Sequence, residues 1–393
     1  MIRSLLLVTM SIAPSLAQLR PGDPASAGIS RAALDRVDLL LEAEVRQGHL
    51  GAASILIARR GMIVLHKGYG HSIEPDSVYL VASITKPVTA TALMMLVERG
   101  KVSLGDPVST YLPEFTGGEK SKVRVLDLLA HTSGLPDMLP ENTELRRAHA
   151  PLSEFVKRAC ATPLLYSPGT EFRYQSMGIL LAAEIVERVS GIALRDFERK
   201  EIFAPLGMAH TALGLGGMRI ADTVQIEESA DSDPKDTASW GANSLYWRNM
   251  GHPWGGMHTT TKDLAILLQA FLNGGSYSAK RVLSRATVQA MTSDQNKRLD
   301  APWGLGWALA RARAWNEFGD LVSPSAFGHA GASGTVAWAD PETQLICTTN
   351  LEIVFLAQRF FSSRLGNQLF DGGVTRREDG IEDQTSVFGD LIT

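Results

Sequence analysis

Ser83 and Lys86 stand three residues apart at the head of the run VASITKPVTATALMMLVERG, positions 81–100. Residues at that spacing share one helix face. Val88, Thr91, Ala92, Met95 and Leu96 recur at helical intervals and Gly100 supplies a stop. Pro87 fits a helix only within the first turn, so the helix begins close to Ser83. Backbone N–H groups without intrahelical acceptors crowd that end. A hydroxyl and an amine held there form a nucleophile and a base: the serine attacks a carbonyl carbon and the amine takes its proton. Lysine with its usual pKa of about 10.4 is protonated at neutral pH, so this role demands burial. A capping serine followed by a solvated lysine gives the same pattern, and other residues must decide between the two.

Two more groups lie in the order that serine acyl transfer needs. Tyr174, in FRYQSMG at 172–178, sits in a loop just before an apolar helix, where a phenol can be aimed into a cleft. His329 and Gly331, in FGHAGA at 327–332, precede a strand, and the glycine permits close backbone approach to a ligand. Other candidates read as structural. His131 closes a short helix, where imidazole can bond to free carbonyls. His252 and His258 lack a third ligand at recognisable spacing, so neither a metal nor another cofactor is expected. No Gly-x-Ser-x-Gly occurs, which removes the α/β-hydrolase nucleophile elbow. Trp240, Trp247 and Trp254 read as packing residues, with the wall of an acyl pocket as the alternative.

The 393 residues, 45% hydrophobic and 20% charged, suffice for one large or two closely packed domains. A net charge of −4 without a basic run excludes a nucleic-acid partner, and no apolar stretch reaches the length of a membrane span. Residues 1–17 read as a signal peptide: Arg3, an apolar run from Leu5 to Ala13, then Ser15-Leu16-Ala17 before a cut ahead of Gln18, implying a periplasmic or secreted protein. The two cysteines, Cys160 and Cys347, are expected as buried thiols.

A helix over 31–47 with Leu34, Val37, Leu41 and Val45 on one stripe is followed by a hairpin, 52–58 and 62–67, around Arg59-Arg60-Gly61. Mostly helical sequence follows from 81 to 215. The Gly-, Asp- and Trp-rich segment 214–256 reads as a long loop able to roof a pocket. A helix from about 262 to 272 carries Thr260 and Asp263 as a capping box. Strands are expected at 303–307, 334–339 and 344–349, and an apolar helix at 353–369. Strands at both ends imply a sheet region made by 18–80 and 258–371, an inserted helical region over 81–257, and a polar tail over 372–393.

Ser83-Ile84-Thr85-Lys86, Tyr174-Gln175-Ser176 and His329-Ala330-Gly331 resemble the three motifs of the class C β-lactamase-related serine hydrolases, written Ser-x-x-Lys, Tyr-x-Asn and Lys/His-Thr/x-Gly. His131-Thr132-Ser133-Gly134-Leu135-Pro136, Pro205-Leu206-Gly207-Met208 and Trp254-Gly255-Gly256-Met257 are similar in order and approximate spacing. The likeness spans roughly 29–369. It implies an α/β (α+β) fold of the β-lactamase and penicillin-binding-protein type, an antiparallel sheet flanked by N- and C-terminal helices with an inserted helical region. It implies Ser83 as nucleophile, Lys86 and Tyr174 sharing the base role, and an oxyanion hole from the backbone N–H groups of Ser83 and Ala332. Ser176, His329, Gly331 and Trp254 become the substrate-contacting set, His329 donating to Tyr174 or to the substrate.

Two departures bear on substrate. Ser176 replaces an amide-gripping asparagine with a shorter group, and His329 replaces a lysine that would grip a carboxylate. Both count against efficient β-lactam hydrolysis. The expected activity is a carboxylesterase acting on small or medium acyl esters through an acyl-enzyme. A D-stereospecific aminopeptidase, amidase or cell-wall peptide hydrolase is the alternative, and a binding protein that holds such ligands without turnover is the non-enzymatic one.

Overall fold

The computed structural model describes residues 18–226, 233–311 and 318–351. The expected leader, the helix at 353–369 and the polar tail lie outside the described residues. The strands, in chain order, are β1 (Arg20–Pro21), β2 (Ala52–Arg59), β3 (Met62–Gly70), β4 (Tyr79–Leu80), β5 (Ala212–Leu213), β6 (Met257–Thr259), β7 (Ser276–Tyr277), β8 (Lys280–Arg281), β9 (Ala308–Leu309), β10 (Phe327–Gly331), β11 (Thr335–Asp340) and β12 (Leu345–Leu351). Seven form one sheet in the order β1-β3-β2-β12-β11-β10-β9, antiparallel except for the β1–β3 edge pair.

The hairpin β2–β3 turns where the sequence places it. Arg60 and Gly61 both adopt positive φ, 52° and 76°, the turn whose twist matches paired strands. β2 is buried almost throughout because both sheet faces are covered. Ala53, Ile55 and Ile57 pack with Leu34, Val37 and Leu41 of the Arg31–Arg46 helix, while Leu56 and Ala58 join the core on the side of the Thr261–Leu272 helix. That division is the two-residue alternation of a strand. Leu41, fully buried, stabilises this layer by roughly 1.5–3 kcal/mol. Cys160 and Cys347 are separate buried thiols.

Between β4 and β6 the chain makes its helical excursion. Its central helix, Thr85–Glu98, is buried from Thr85 through Leu96 and packs against the Met177–Ser190 helix. A helix buried on all sides needs no polar face, which explains its run of Ala, Leu and Met. β4, β6 and β5 form a second, three-stranded sheet that ties both ends of the excursion together. Three expectations change. Residues 303–307 form no strand, only a bridge from Trp303 to Ala308 leading into β9. The segment 214–256 contains helices Pro234–Trp240 and Leu245–Met250. The capping box is half formed: Thr260 Oγ1 accepts from the Asp263 N–H, but the Asp263 carboxylate turns to His210 and Thr211.

Candidate active site

Pairing of β4 with β6 sets the site. Leu80 lies opposite His258, and the Val81 N–H donates to the Met257 carbonyl at 3.0 Å, so the chain entering Ser83 runs beside the chain leaving Trp254. Ser83 then sits in a single 3-10 turn, Ala82–Ile84, directly ahead of the Thr85–Glu98 helix. Ala82 holds a φ of 43°, a left-handed conformation costing on the order of 1–3 kcal/mol in a non-glycine residue. Thr85 stabilises it: its hydroxyl donates to the Ala82 carbonyl at 2.7 Å and accepts from the Met257 N–H at 3.0 Å.

Lys86 follows on the same face, its Nζ 2.8 Å from Ser83 Oγ and 3.0 Å from the Trp254 carbonyl. Its side chain is only 1% exposed, and this burial lowers its pKa to about 7, with the Asp137 carboxylate pulling the other way. The neutral amine has one lone pair and donates elsewhere. With an N–H on the Trp254 carbonyl, that lone pair can take the Ser83 proton.

Tyr174 is half-buried, with Lys86 Nζ 4.7 Å from its ring centroid. His131, Trp303 and His329 surround the ring at centroid distances of 4.7, 5.9 and 5.9 Å. His131 is fully buried, takes a φ of 59° and accepts the Gln175 N–H on Nδ1 at 3.3 Å. It therefore braces the loop carrying Tyr174. Ser176 caps the Met177–Ser190 helix by position, and its hydroxyl donates to Asp137 Oδ1 at 2.7 Å. That hydroxyl is committed to a protein carboxylate. Asp137 was not foreseen; the only signal was an acidic residue directly after the turn Gly134-Leu135-Pro136.

β10 brings the third motif alongside. A Cβ on Gly331 would stand 2.2 Å from the Val81 carbonyl oxygen, so only glycine allows β10 to end against the Ser83 turn. Ala332, exposed, opens the tight turn that the Gly334 N–H to Gly331 carbonyl bond closes at 3.0 Å. His329 differs from its expected role. Its Nδ1 is 2.6 Å from the Ala330 carbonyl, which can only accept, so Nδ1 carries the proton and Nε2 is a bare acceptor. Nε2 is buried without a partner, and burial followed by the nearby Lys86 lowers the pKa to about 3. His329 is thus a neutral acceptor toward the site; it offers neither a donor to substrate nor a cation.

The remaining candidates lie elsewhere. The indole of Trp254 is 2% exposed and packs on Phe155 and His252, so the residue reaches the site through its carbonyl, not as a substrate-facing wall. Trp247 stacks under the Arg146 guanidinium at 3.9 Å. His258 bonds the Gly214 carbonyl at 2.9 Å, and no cluster of metal-ligating groups occurs among the described residues. A cavity of about 860 Å³ opens between residues 149–156, 180–195 and 238–251, away from Ser83.

A serine hydroxyl and a buried amine thus meet at the head of a central helix, beside a sheet edge. The chain belongs to the beta-lactamase family, whose profile matches residues 37–371. It is 30% identical over 382 residues to an Escherichia coli O157:H7 protein named as a D-alanyl-D-alanine carboxypeptidase, with 86% of each chain covered. Among solved structures it resembles a penicillin-binding protein homolog from Caulobacter crescentus (TM-score 0.71, 22% identity, 86% of this chain and 97% of that one). It also resembles a family VIII carboxylesterase (TM-score 0.68, 22% identity, 86% and 98% covered). These structural likenesses bear on the fold, which is the β-lactamase and penicillin-binding-protein fold.

Proposed function

We propose that this protein is a serine hydrolase, a carboxylesterase acting on small or medium acyl esters through an acyl-enzyme on Ser83. The observation that carries the reading is the buried Lys86 amine 2.8 Å from Ser83 Oγ, with its pKa brought down to about 7. Ser83 Oγ attacks the ester carbonyl as its proton passes to Lys86 Nζ. The oxyanion faces the N–H groups of Ser83 and Ala332, and the alkoxide leaves with a proton from the Lys86–Tyr174 pair. Water then reverses the sequence and frees the acid.

The site's charge supports an ester over a substrate bearing a free carboxylate. His329 contributes no cation, and Asp137 contributes an anion close enough to act on Lys86. A leaving group that bears a carboxylate, such as C-terminal D-alanine, would find no cation at position 329 to grip it and an anion at Asp137 elsewhere in the site. D-peptide hydrolysis is the second reading, supported by the relatives named as D-alanyl-D-alanine carboxypeptidases. Residues 1–17 support export to the periplasm or medium, which N-terminal sequencing of the mature protein tests by a start at Gln18.

The deciding experiment is mass spectrometry after a fluorophosphonate probe, alongside kcat/KM for p-nitrophenyl butyrate and for a D-alanyl-D-alanine peptide. One adduct on Ser83, absent in Ser83→Ala, with faster ester turnover is expected. Faster peptide turnover would favour the second reading, and no adduct with no turnover would leave a binding protein.

A further inference from the structure

Glu198 is a fully buried carboxyl that the acyl-transfer chemistry does not use. It ends the short helix Leu194–Glu198, directly before a widened π-turn over Arg199–Phe203, an irregularity often found near functional sites. Glu198 Oε1 lies 3.3 Å from Thr89 Oγ1, and Oε2 is buried with no hydrogen-bond partner. Thr89 Oγ1 also lies 2.9 Å from the Pro253 carbonyl. A threonine hydroxyl has one proton, and a carbonyl can only accept. The hydroxyl therefore donates to Pro253, and the contact with Glu198 is a hydrogen bond only if the carboxyl supplies the proton.

Thr89 stands one turn beyond Lys86 on the same helix face. The two side chains hold consecutive carbonyls, Thr89 that of Pro253 and Lys86 that of Trp254. Rotation about the Lys86 Cε–Nζ bond is limited by the Trp254 carbonyl, so the position of that carbonyl decides whether the lone pair faces Ser83. We propose that Glu198 is a positioning residue: as a neutral acid it donates to Thr89, which fixes the Pro253–Trp254 peptide and so aims Lys86 at Ser83. The inference rests on reading Ser83 and Lys86 as the acylation pair.

The surroundings agree. Burial pushes the Glu198 carboxyl up to about 8. The helix packs on Thr85–Glu98 and Met177–Ser190. The charged groups of those helices and of the π-turn are engaged elsewhere: Arg99 with Glu201, Arg188 with Glu114 and Glu184, Glu187 with the Leu194 N–H, Glu98 with the Ser284 N–H, Arg199 with Asp196, and Lys86 with Ser83 and Trp254. Lys200 lies 3.7 Å from Glu201. Arg195, on the same short helix, donates to the Met250 carbonyl. No ion pair to Glu198 occurs among the described residues.

The test compares wild type, E198Q, E198L and T89V by the rate of fluorophosphonate labelling at Ser83 and by the pH profile of p-nitrophenyl butyrate kcat/KM. An infrared difference spectrum between wild type and E198Q at neutral pH reports the protonated carboxyl directly. E198L is expected to slow labelling by roughly tenfold or more and to move the acid limb toward higher pH as the Lys86 cage loosens. T89V should match it. E198Q, which keeps a donor, should recover most of the loss with the wild-type limb. The infrared band of a neutral acid should be present in wild type. A wild-type limb in both E198L and T89V, an E198Q as impaired as E198L, or a missing band would overturn the proposal. If E198L does not fold, T89V and E198Q carry the comparison. Wild type that does not label at Ser83 would overturn the acyl-enzyme reading and the positioning role together, whereas labelling with insensitive variants overturns the positioning role alone.

Discussion

Thr335 Oγ1 donates to the Val81 carbonyl at 3.0 Å, joining β11 to the residue that leads into the Ser83 turn across 254 positions of sequence. Gly331, where β10 ends, lies against the same carbonyl. Ser83 and the third motif are therefore held together at the Val81 carbonyl, and disturbing that seam should misplace Ser83 without touching it. Gly331→Ala is expected to lower kcat/KM by about 100-fold, because its Cβ must push the Ser83 turn or β10 aside. Thr335→Val should cost about 1 kcal/mol of stability with a smaller loss of rate. Ester kinetics and thermal denaturation of both variants check this.

Activity should fall on the acid side of neutrality. With Lys86 brought down to about 7, the neutral amine that we propose accepts the Ser83 proton disappears below that pH, and kcat/KM should drop about tenfold per pH unit. Stability follows the same sign. The folded-state pKa is below the unfolded value of 10.5, so this contribution is fully present above 10.5 and is lost as pH falls through about 7. Lys86→Met should abolish turnover, flatten that part of the stability profile, and leave a protein that melts no lower than wild type at neutral pH.

Glu198 predicts the opposite slope. Its folded-state pKa of about 8 is above the ordinary 4.5, so its contribution is present below 4.5 and is lost as pH rises to about 8. Glu198→Gln should therefore gain melting temperature relative to wild type steadily across that window. A difference that does not change with pH would show that the carboxyl does not titrate there.

His329→Lys would place a cation where a neutral acceptor now stands. The expected result is a lower KM for substrates carrying a free carboxylate, such as a D-alanyl-D-alanine peptide, and a lower kcat for neutral esters through loss of the Nε2 acceptor beside Tyr174. Paired steady-state kinetics on the two substrate types decide it.

Much of this protein was legible in one dimension. The hairpin around Arg60-Gly61, the helix stripe of Leu34, Val37 and Leu41, and the Ser83–Lys86 spacing follow from local rules of turn geometry and periodicity. The three-motif order pointed to the fold before any coordinate. What local rules cannot carry is the partner of a side chain. By resemblance Ser176 and Trp254 are substrate contacts, until Asp137 takes the Ser176 hydroxyl and the Trp254 indole turns inward while its carbonyl meets Lys86. The protonated nitrogen of His329 depends on one carbonyl, and the raised pKa of Glu198 on its complete burial. The residue types that do chemistry were written in the sequence, but their charge states are set by burial and by hydrogen-bond partners, which exist only once distant segments have packed.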